Sequence, residues 1–157
     1  MNLDGDTAIW LLRDRHVQTL LTTMPFIRLE VNEMFPCARK DGLLGHLRPH
    51  ADLWLDDVGS GNRNNFGLLV RGYFGAAKID KVFFWQHHDT TYMAGLGKVI
   101  RDLTRYAGHV IVEGIEHPGH LSPLTGYPDC WLQGYLFPRA DIEHITDIPL
   151  DITCAAG

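Results

Sequence analysis

Histidines and carboxylates that could bind a metal or transfer protons are concentrated in the middle of the sequence. They are His87, His88, His109, Glu113, Glu116, His117 and His120. Imidazole and carboxylate groups at this density could hold zinc or another divalent cation, and a metal-activated water would imply hydrolysis. However, His117 and His120 have neither the i, i+4 spacing of a helix face nor the His-x-His spacing of a strand. The sequence therefore assigns no metal ligand, and solvated or hydrogen-bonded histidines are the simpler interpretation.

A second candidate is the segment Gly95-Leu96-Gly97-Lys98, which begins an amphipathic stretch. Backbone N–H groups at a helix N-terminus are unpaired and favour an anion, and glycine lets a diphosphate approach them closely. The alternative is structural, because the same two glycines would let the helix lie close against a neighbouring element. A single Gly-x-Gly does not decide between the two interpretations.

The elements around these residues follow from hydrophobic periodicity. Residues 81–86 form an apolar run that predicts a strand, 92–107 have apolar residues at steps of three and four, and 109–113 predict another strand. Gly108 is placed to end the helix. A strand–helix–strand crossover of this length favours parallel pairing of its two strands.

The rest of the chain predicts a sheet built before that crossover helix. A helix runs from Asp6 or Thr7 to about Leu21, and 26–31 is a strand, with a helix over 25–34 as the rival. Residues 51–58 and 66–74 are predicted as a hairpin around the turn-rich 59–65, and 131–137 as a last strand. The predicted fold is α+β, a mixed and mainly antiparallel sheet of about five to six strands with an N-terminal helix and a crossover helix at about 92–107.

Length and composition indicate one soluble globular domain over residues 1–157. The chain is 45% hydrophobic and 21% charged, with a net charge of -5 and dispersed basic residues, so nothing indicates nucleic-acid binding. No apolar run is long enough to span a membrane, and the acidic N-terminus is unlike a signal peptide. Three cysteines without a C-x-x-C pair fit a reducing, cytoplasmic location.

The order of elements resembles the GCN5-related N-acetyltransferase family. Gly95-Leu96-Gly97-Lys98 is similar to the second half of that family's pyrophosphate-binding signature, whose first position, Gln or Arg, is Tyr92 here. The resemblance implies a mainly antiparallel fold that binds acetyl-CoA or another acyl-CoA. It covers roughly residues 51–137 by element order and four or five residues by motif.

The resemblance also implies roles for individual residues. Phe84 and Trp85 would lie along the pantetheine arm, and Gly95, Gly97 and Lys98 would receive the diphosphate. Tyr127 would protonate the leaving thiolate, with Tyr135 as the fallback, and the substrate amine would find its base in His88 of the 87–89 loop or in Glu113.

Three functions remain open at this point. The first is an acyl-CoA-dependent N-acyltransferase acting on an unidentified small-molecule or protein amine. The second is a non-catalytic protein of related fold used for assembly or binding, for example one encoded by a phage or associated with a virion, as a homo-oligomer or in a larger assembly. The third is a metal-dependent hydrolase that uses the histidines and glutamates.

Overall fold

A computed structural model describes residues 1–32, 35, 40–60, 65–88 and 93–148. The strands are β1 (Asn2–Leu3), β2 (Arg28–Val31), β3 (Asp52–Val58), β4 (Phe74–Ile79), β5 (His109–Glu113) and β6 (Cys130–Gln133). The helices are α1 (Gly5–Arg13), α2 (Arg15–Thr23), α3 (Lys40–Leu47), α4 (Asn65–Leu69), α5 (Lys81–His87) and α6 (Met93–Thr104). Short 3-10 helices follow at Pro118–His120, Ser122–Leu124 and Ile142–Asp147.

The six strands form one sheet in the order β1-β2-β3-β4-β5-β6, and every neighbouring pair is parallel. Helices lie between successive strands from β1 to β5, as parallel pairing requires, because the chain must return to the same end of the sheet each time. Strands that pair in the order of the chain are typical of a (β/α) barrel, whereas a doubly wound sheet reverses its strand order. The architecture is therefore TIM-barrel-like.

One face of the sheet is covered by helices and the other carries the polar residues. In β3 and β4 the buried positions Leu53, Leu55, Ala77 and Ile79 belong to the same core cluster as helix residues such as Leu103. The alternate positions project to the opposite face, since side chains of a strand alternate between faces. That second face carries Glu30, Trp54, Asp56, Lys78, Glu113, Trp131 and Gln133.

The predicted fold class is wrong, because the sheet is parallel throughout and not mainly antiparallel. The error began at residues 66–74, which were predicted as the second strand of a hairpin. Instead α4 occupies Asn65–Leu69 and β4 starts only at Phe74, so a helix separates β3 from β4 and the two strands run parallel. Part of the predicted turn, residues 61–64, lies outside the described residues.

The apolar run from Lys81 was predicted as a strand and is the helix α5. The side chain of Asp80 accepts hydrogen bonds from the backbone N–H groups of Val82 and Phe83 at 2.9 and 3.0 Å, which is an N-cap. Phe84 is then fully buried while Val82 is 47% exposed, as expected for a helix with one inward face. The strand that pairs with β5 is therefore β4.

Several element predictions are confirmed. The strands at 26–31, 51–58 and 109–113 correspond to β2, β3 and β5, and α6 lies within the predicted 92–107 helix. The N-terminal helix is confirmed as helical but is split in two at Asp14, whose carboxylate caps α2. No helix among the described residues combines the length and the apolar character needed to cross a membrane.

Candidate functional site

Charged side chains from four neighbouring strands meet at the carboxyl end of the sheet. Glu30 is near the end of β2, Asp56 and Asp57 are near the end of β3, Lys78 is near the end of β4, and Glu113 ends β5. The carboxyl ends of parallel strands lie at one edge of a sheet, and TIM barrels place their active sites there. The parallel topology therefore brings together five residues that are spread over more than 80 positions of the sequence.

Asp56 and Asp57 contribute to the same site although they are consecutive. In a regular strand their side chains would point to opposite faces. The pairing of β3 with β4 shifts between Leu55 and Val58, and Asp57 has a φ of 59°, in the left-handed region. Such an irregularity bends a strand and redirects side chains, and strained backbone of this kind is concentrated at functional sites.

Lys78 lies at the centre of this group. Its Nζ is 3.0 Å from Glu30 Oε1, 3.1 Å from Asp56 Oδ1 and 2.7 Å from Glu113 Oε1, and the residue is 5% exposed. Burial alone would lower the pKa of Lys78, but the hydrogen bonds to Glu113 and Glu30 and the charge of Asp56 outweigh it and raise the pKa above its ordinary value. Lys78 is therefore a permanent cation at neutral pH.

The carboxylates of this site suit a divalent cation. One ligand oxygen from each of Asp56, Asp57 and Glu113 lies within 4.8 Å of the other two. Burial raises the pKa of Glu113, Lys78 partly offsets that rise, and the charges of Asp56 and Asp57 add to it. Asp56 Oδ1 is shielded from solvent and has the ion pair with Lys78 but no well-aligned hydrogen bond. A hard cation bound by oxygen ligands would satisfy both groups.

A cavity of about 480 Å³ adjoins the carboxylates. It is lined by Glu113, by Gln133 and Tyr135 around the end of β6, and by the cations Lys81 and Arg139. The Arg139 guanidinium lies 5.0 Å from the centre of the Tyr135 ring, and Tyr135 is 68% exposed. The volume is in the range of small-molecule pockets. Glu116 also lines the cavity, so the two cations are balanced by two glutamates.

Gly114 fixes the backbone directly after Glu113. Its φ is +79°, and a Cβ there would lie 2.6 Å from Lys81 Cβ and 2.9 Å from Trp85 Nε1. The Trp85 indole N–H donates to the Gly114 carbonyl at 2.8 Å. Glycine is therefore required at this position by both conformation and space, and α5 is anchored next to the site.

The residues assigned to a diphosphate site lie elsewhere. Gly97 faces Tyr127, whose hydroxyl would be 2.1 Å from a Cβ at that position, and Arg101 donates to the same hydroxyl at 3.2 Å. Lys98 is exposed and pairs with Asp102 on α6. The close approach of Tyr127 accounts for Gly97, which was the structural alternative, while Tyr92 lies outside the described residues.

The remaining predicted residues are divided between core and site. Phe84 is in the core, Trp85 binds the Gly114 carbonyl, and Gly95 lies on α6 with its Cβ position 3.4 Å from the His87 ring. His88 follows α5, and the centre of its ring lies 5.0 Å from that of His120. Of the catalytic residues proposed from sequence, only Glu113 lies in the carboxylate group.

Comparison with known proteins identifies the kind of domain that this chain is similar to. No family model matches the sequence. The cyclic di-GMP phosphodiesterase PdeH of Escherichia coli K12 is 29% identical over 145 residues, which are 91% of this chain and 56% of PdeH. YdiV of the same organism is 30% identical over 154 residues, which are 94% of this chain and 64% of YdiV, and its name marks it provisionally as an anti-FlhC(2)FlhD(4) factor. The chain thus spans about three-fifths of the length of these relatives.

Solved structures agree with the sequence comparisons. The crystal structure of the EAL-like domain protein YdiV superimposes with a TM-score of 0.83 and 26% identity over 94% of this chain and 64% of that protein. Klebsiella pneumoniae BlrP1, solved as a manganese and cyclic di-GMP complex, gives a TM-score of 0.68 at 24% identity over 88% of this chain and 38% of BlrP1, which shows the fold alone. The chain is similar to EAL-like domains.

This similarity overturns the acetyltransferase prediction and what it implied. The relatives and the parallel sheet give no support to a GCN5-related fold, to acyl transfer or to an assembly protein of that fold. The predicted acyl-CoA cofactor is wrong as well, because it followed from the acetyltransferase resemblance, whereas the relative PdeH is named a cyclic di-GMP phosphodiesterase and the chain superimposes on the EAL-like protein YdiV. The partner named for YdiV is a protein complex.

Sequence reasoning missed Glu30, Asp56, Asp57, Lys78 and Gln133. A signal was present, because Asp56-Asp57 follows an apolar strand and a lysine closes the next apolar segment. That signal has meaning only when β3 and β4 are parallel, since only then do both lie at the same edge of the sheet. The antiparallel prediction placed them at opposite ends.

Proposed function

We propose that the chain forms part of a domain that binds a divalent cation and a cyclic dinucleotide, and that hydrolyses one phosphodiester bond of it. The observation that carries the proposal is the convergence of Asp56, Asp57 and Glu113 around Lys78 at the carboxyl end of a parallel sheet. The name of PdeH and the ligands of BlrP1 support the choice of cyclic di-GMP.

Charge explains why the cation is needed. Four carboxylates lie here against two ammonium groups, those of Lys78 and of the Met1 N-terminus, so the site would repel an anionic phosphodiester by itself. Asp56, Asp57 and Glu113 would hold the cation, which when bound supplies Lewis acidity and an activated water. Lys78 keeps the carboxylates in place, and Lys81 and Arg139 line the cavity beside them.

The reaction is a hydrolysis. Water adds to phosphorus, one P–O ester bond breaks, and the leaving ribose oxygen takes up a proton, giving a linear dinucleotide. Glu113, whose pKa is raised by burial, lies at the wall of the cavity and would also orient groups on the reacting phosphate.

The test is chromatographic detection of linear product from cyclic di-GMP with Mn²⁺ or Mg²⁺. We expect cation-dependent turnover by the wild type and a loss of at least about 100-fold in Asp57→Asn, because losing a cation ligand removes several kcal/mol of stabilisation. Asp102→Asn, which changes a half-buried carboxylate on α6 that pairs with Lys98, is the matched control and should retain activity. Absence of both turnover and cyclic di-GMP binding in the wild type would contradict the proposal.

A second candidate is a protein-binding role like that named for YdiV. The TM-score of 0.83 with YdiV supports it, and Trp10 on α1 is 54% exposed on the helical side of the sheet. Size-exclusion chromatography with light scattering of the chain mixed with the FlhC(2)FlhD(4) complex tests it. Complex formation that persists in Asp57→Asn would favour this role, and separate elution of the two components would exclude it.

A further inference from the structure

Three histidines gather next to the carboxylate site without taking part in it. The centres of the His117 and His120 rings are 3.6 Å apart, and those of His88 and His120 are 5.0 Å apart. His88 follows α5, whereas His117 and His120 flank the short helix after β5. Two separate parts of the chain therefore supply imidazoles to one place.

Two of the rings are oriented by the main chain through the same nitrogen. His88 Nδ1 lies 2.8 Å from the Trp85 carbonyl oxygen, and His120 Nδ1 lies 3.0 Å from that of Gly114. An imidazole that donates from Nδ1 to a backbone carbonyl presents Nε2 as its lone-pair nitrogen, which is how metal-binding histidines are commonly held. In the other tautomer, His120 Nδ1 accepts a hydrogen bond from the Glu116 N–H at 3.2 Å, so a metal bound at Nε2 would select the tautomer that donates to Gly114.

The burial of His120 and its proximity to the other two imidazoles favour the neutral form of its side chain, which is the form that binds a metal. His120 is only 5% exposed, and its pKa is lowered first by burial and then by His117, with His88 adding to the effect. The Gly114 carbonyl and Glu116 act in the opposite direction. These surroundings disfavour a second proton on His120, while the lone pair of the neutral imidazole can still bind a metal.

We infer that His88, His117 and His120 form a second cation site, which takes a borderline transition metal such as Zn²⁺ through imidazole nitrogen. A tetrahedral Zn²⁺ with Zn–N bonds of about 2.1 Å places adjacent ring centres roughly 5 Å apart. The His88 and His120 rings already have that separation.

The His117 ring has to move outward to complete the site. Its ring overlaps that of His120, and within the described part of the chain only the carboxylates have ligand atoms that all converge within 4.8 Å. His117 is exposed, so its side chain can rotate, and it lies against Gly119, where a Cβ would come within 3.1 Å of its ring. A tetrahedral site would be completed by water.

A metal bound by these histidines would link two segments of the chain next to the end of β5. The metal would join the end of α5 to the segment after β5, and His120 contacts Gly114, the residue next to Glu113. This site is distinct from the carboxylate site in both ligands and preferred metal, because imidazole suits Zn²⁺ while carboxylates suit Mg²⁺ and Mn²⁺.

The test is calorimetric titration of Zn²⁺ into metal-free Asp57→Asn protein, in which the carboxylate site is impaired. We expect one equivalent of Zn²⁺ to bind, and adding His117→Ala to weaken that binding at least about tenfold. His16→Ala, which removes an exposed histidine on α2, is the matched control and should leave the affinity unchanged. His117 is exposed, so its substitution should leave the fold intact, which circular dichroism verifies.

Absorption of the Co²⁺-loaded protein gives a second readout. Four-coordinate nitrogen ligation should give intense visible bands in the Asp57→Asn protein that are lost on His117→Ala. Failure of Asp57→Asn to bind Zn²⁺, or equal binding with and without His117, would overturn the inference. Neither result depends on phosphodiesterase activity, so the two proposals can fail separately.

Discussion

Lys78 is the residue on which the electrostatics of the carboxylate group depend. Lys78 is 5% exposed and contacts Glu30, Asp56 and Glu113. The side chains of these three residues are 23%, 14% and 18% exposed, respectively. Removing one partner of a buried charge network leaves the others uncompensated, which costs more than the net stabilisation that the network provides. A second positive charge, the N-terminal ammonium group of Met1, lies 3.8 Å from Glu30 Oε2, but Lys78 contacts three of these carboxylates.

Lys78→Met should therefore lower the free energy of unfolding of the metal-free protein by about 3 kcal/mol. The measurement is urea denaturation followed by circular dichroism, with Lys98→Met as control. Lys98 is exposed and pairs only along its own helix with Asp102, so its loss should cost less than about 0.5 kcal/mol. Equal effects of the two substitutions would contradict the central position given to Lys78.

Asp57 illustrates the conflict between stability and function at the level of one residue. Its positive φ is unfavourable for any residue with a side chain, and its charge acts on Glu113. Asp57→Gly relieves this unfavourable φ, so it should lower the stability less than Asp56→Gly does while weakening Mn²⁺ binding. Asp56→Gly should destabilise, because Asp56 has an ordinary φ and contacts Lys78. Thermal unfolding of both variants decides, and a larger loss of stability in Asp57→Gly than in Asp56→Gly would contradict this account.

At the scale of elements, the sequence predicted amphipathic helices and alternating strands better than it predicted the apolar run at residues 81–86. Valine, phenylalanine and tryptophan favour strands, so propensity indicated a strand there. The single residue that opposed this was Asp80, a helix N-cap whose carboxylate accepts two backbone hydrogen bonds. In the prediction the four apolar residues of 81–86 outweighed this single capping residue, but the cap agrees with the structure.

Replacing this cap tests its importance. Asp80→Ala should lower the free energy of unfolding by about 1 kcal/mol, because two backbone N–H groups lose their acceptor. Asp80→Asn retains an acceptor oxygen and should cost much less. Chemical denaturation of both variants is the measurement, and equal losses would show that the capping hydrogen bonds do not stabilise α5.

At the scale of the whole molecule, the topology determined what could be predicted of the site. Glu113 was found from sequence because it ends a predicted strand beside a histidine-rich segment, whereas Glu30, Asp56 and Lys78 lie in three separate segments outside it. These residues are close together because the strands that carry them are parallel. The sequence did not predict parallel strands, because the short helix α4 lies in a stretch that was predicted as part of a hairpin. The prediction of one domain over residues 1–157 and that of a cytoplasmic location stay predictions.

The central claim is that the carboxyl end of this sheet binds a divalent cation through Asp56, Asp57 and Glu113. Calorimetric titration of Mn²⁺ into the metal-free protein tests it most directly. The account predicts one equivalent bound by the wild type and by Asp102→Asn, and at least about tenfold weaker binding by Asp56→Asn. No Mn²⁺ binding by the wild type, or the same affinity in all three proteins, would contradict it.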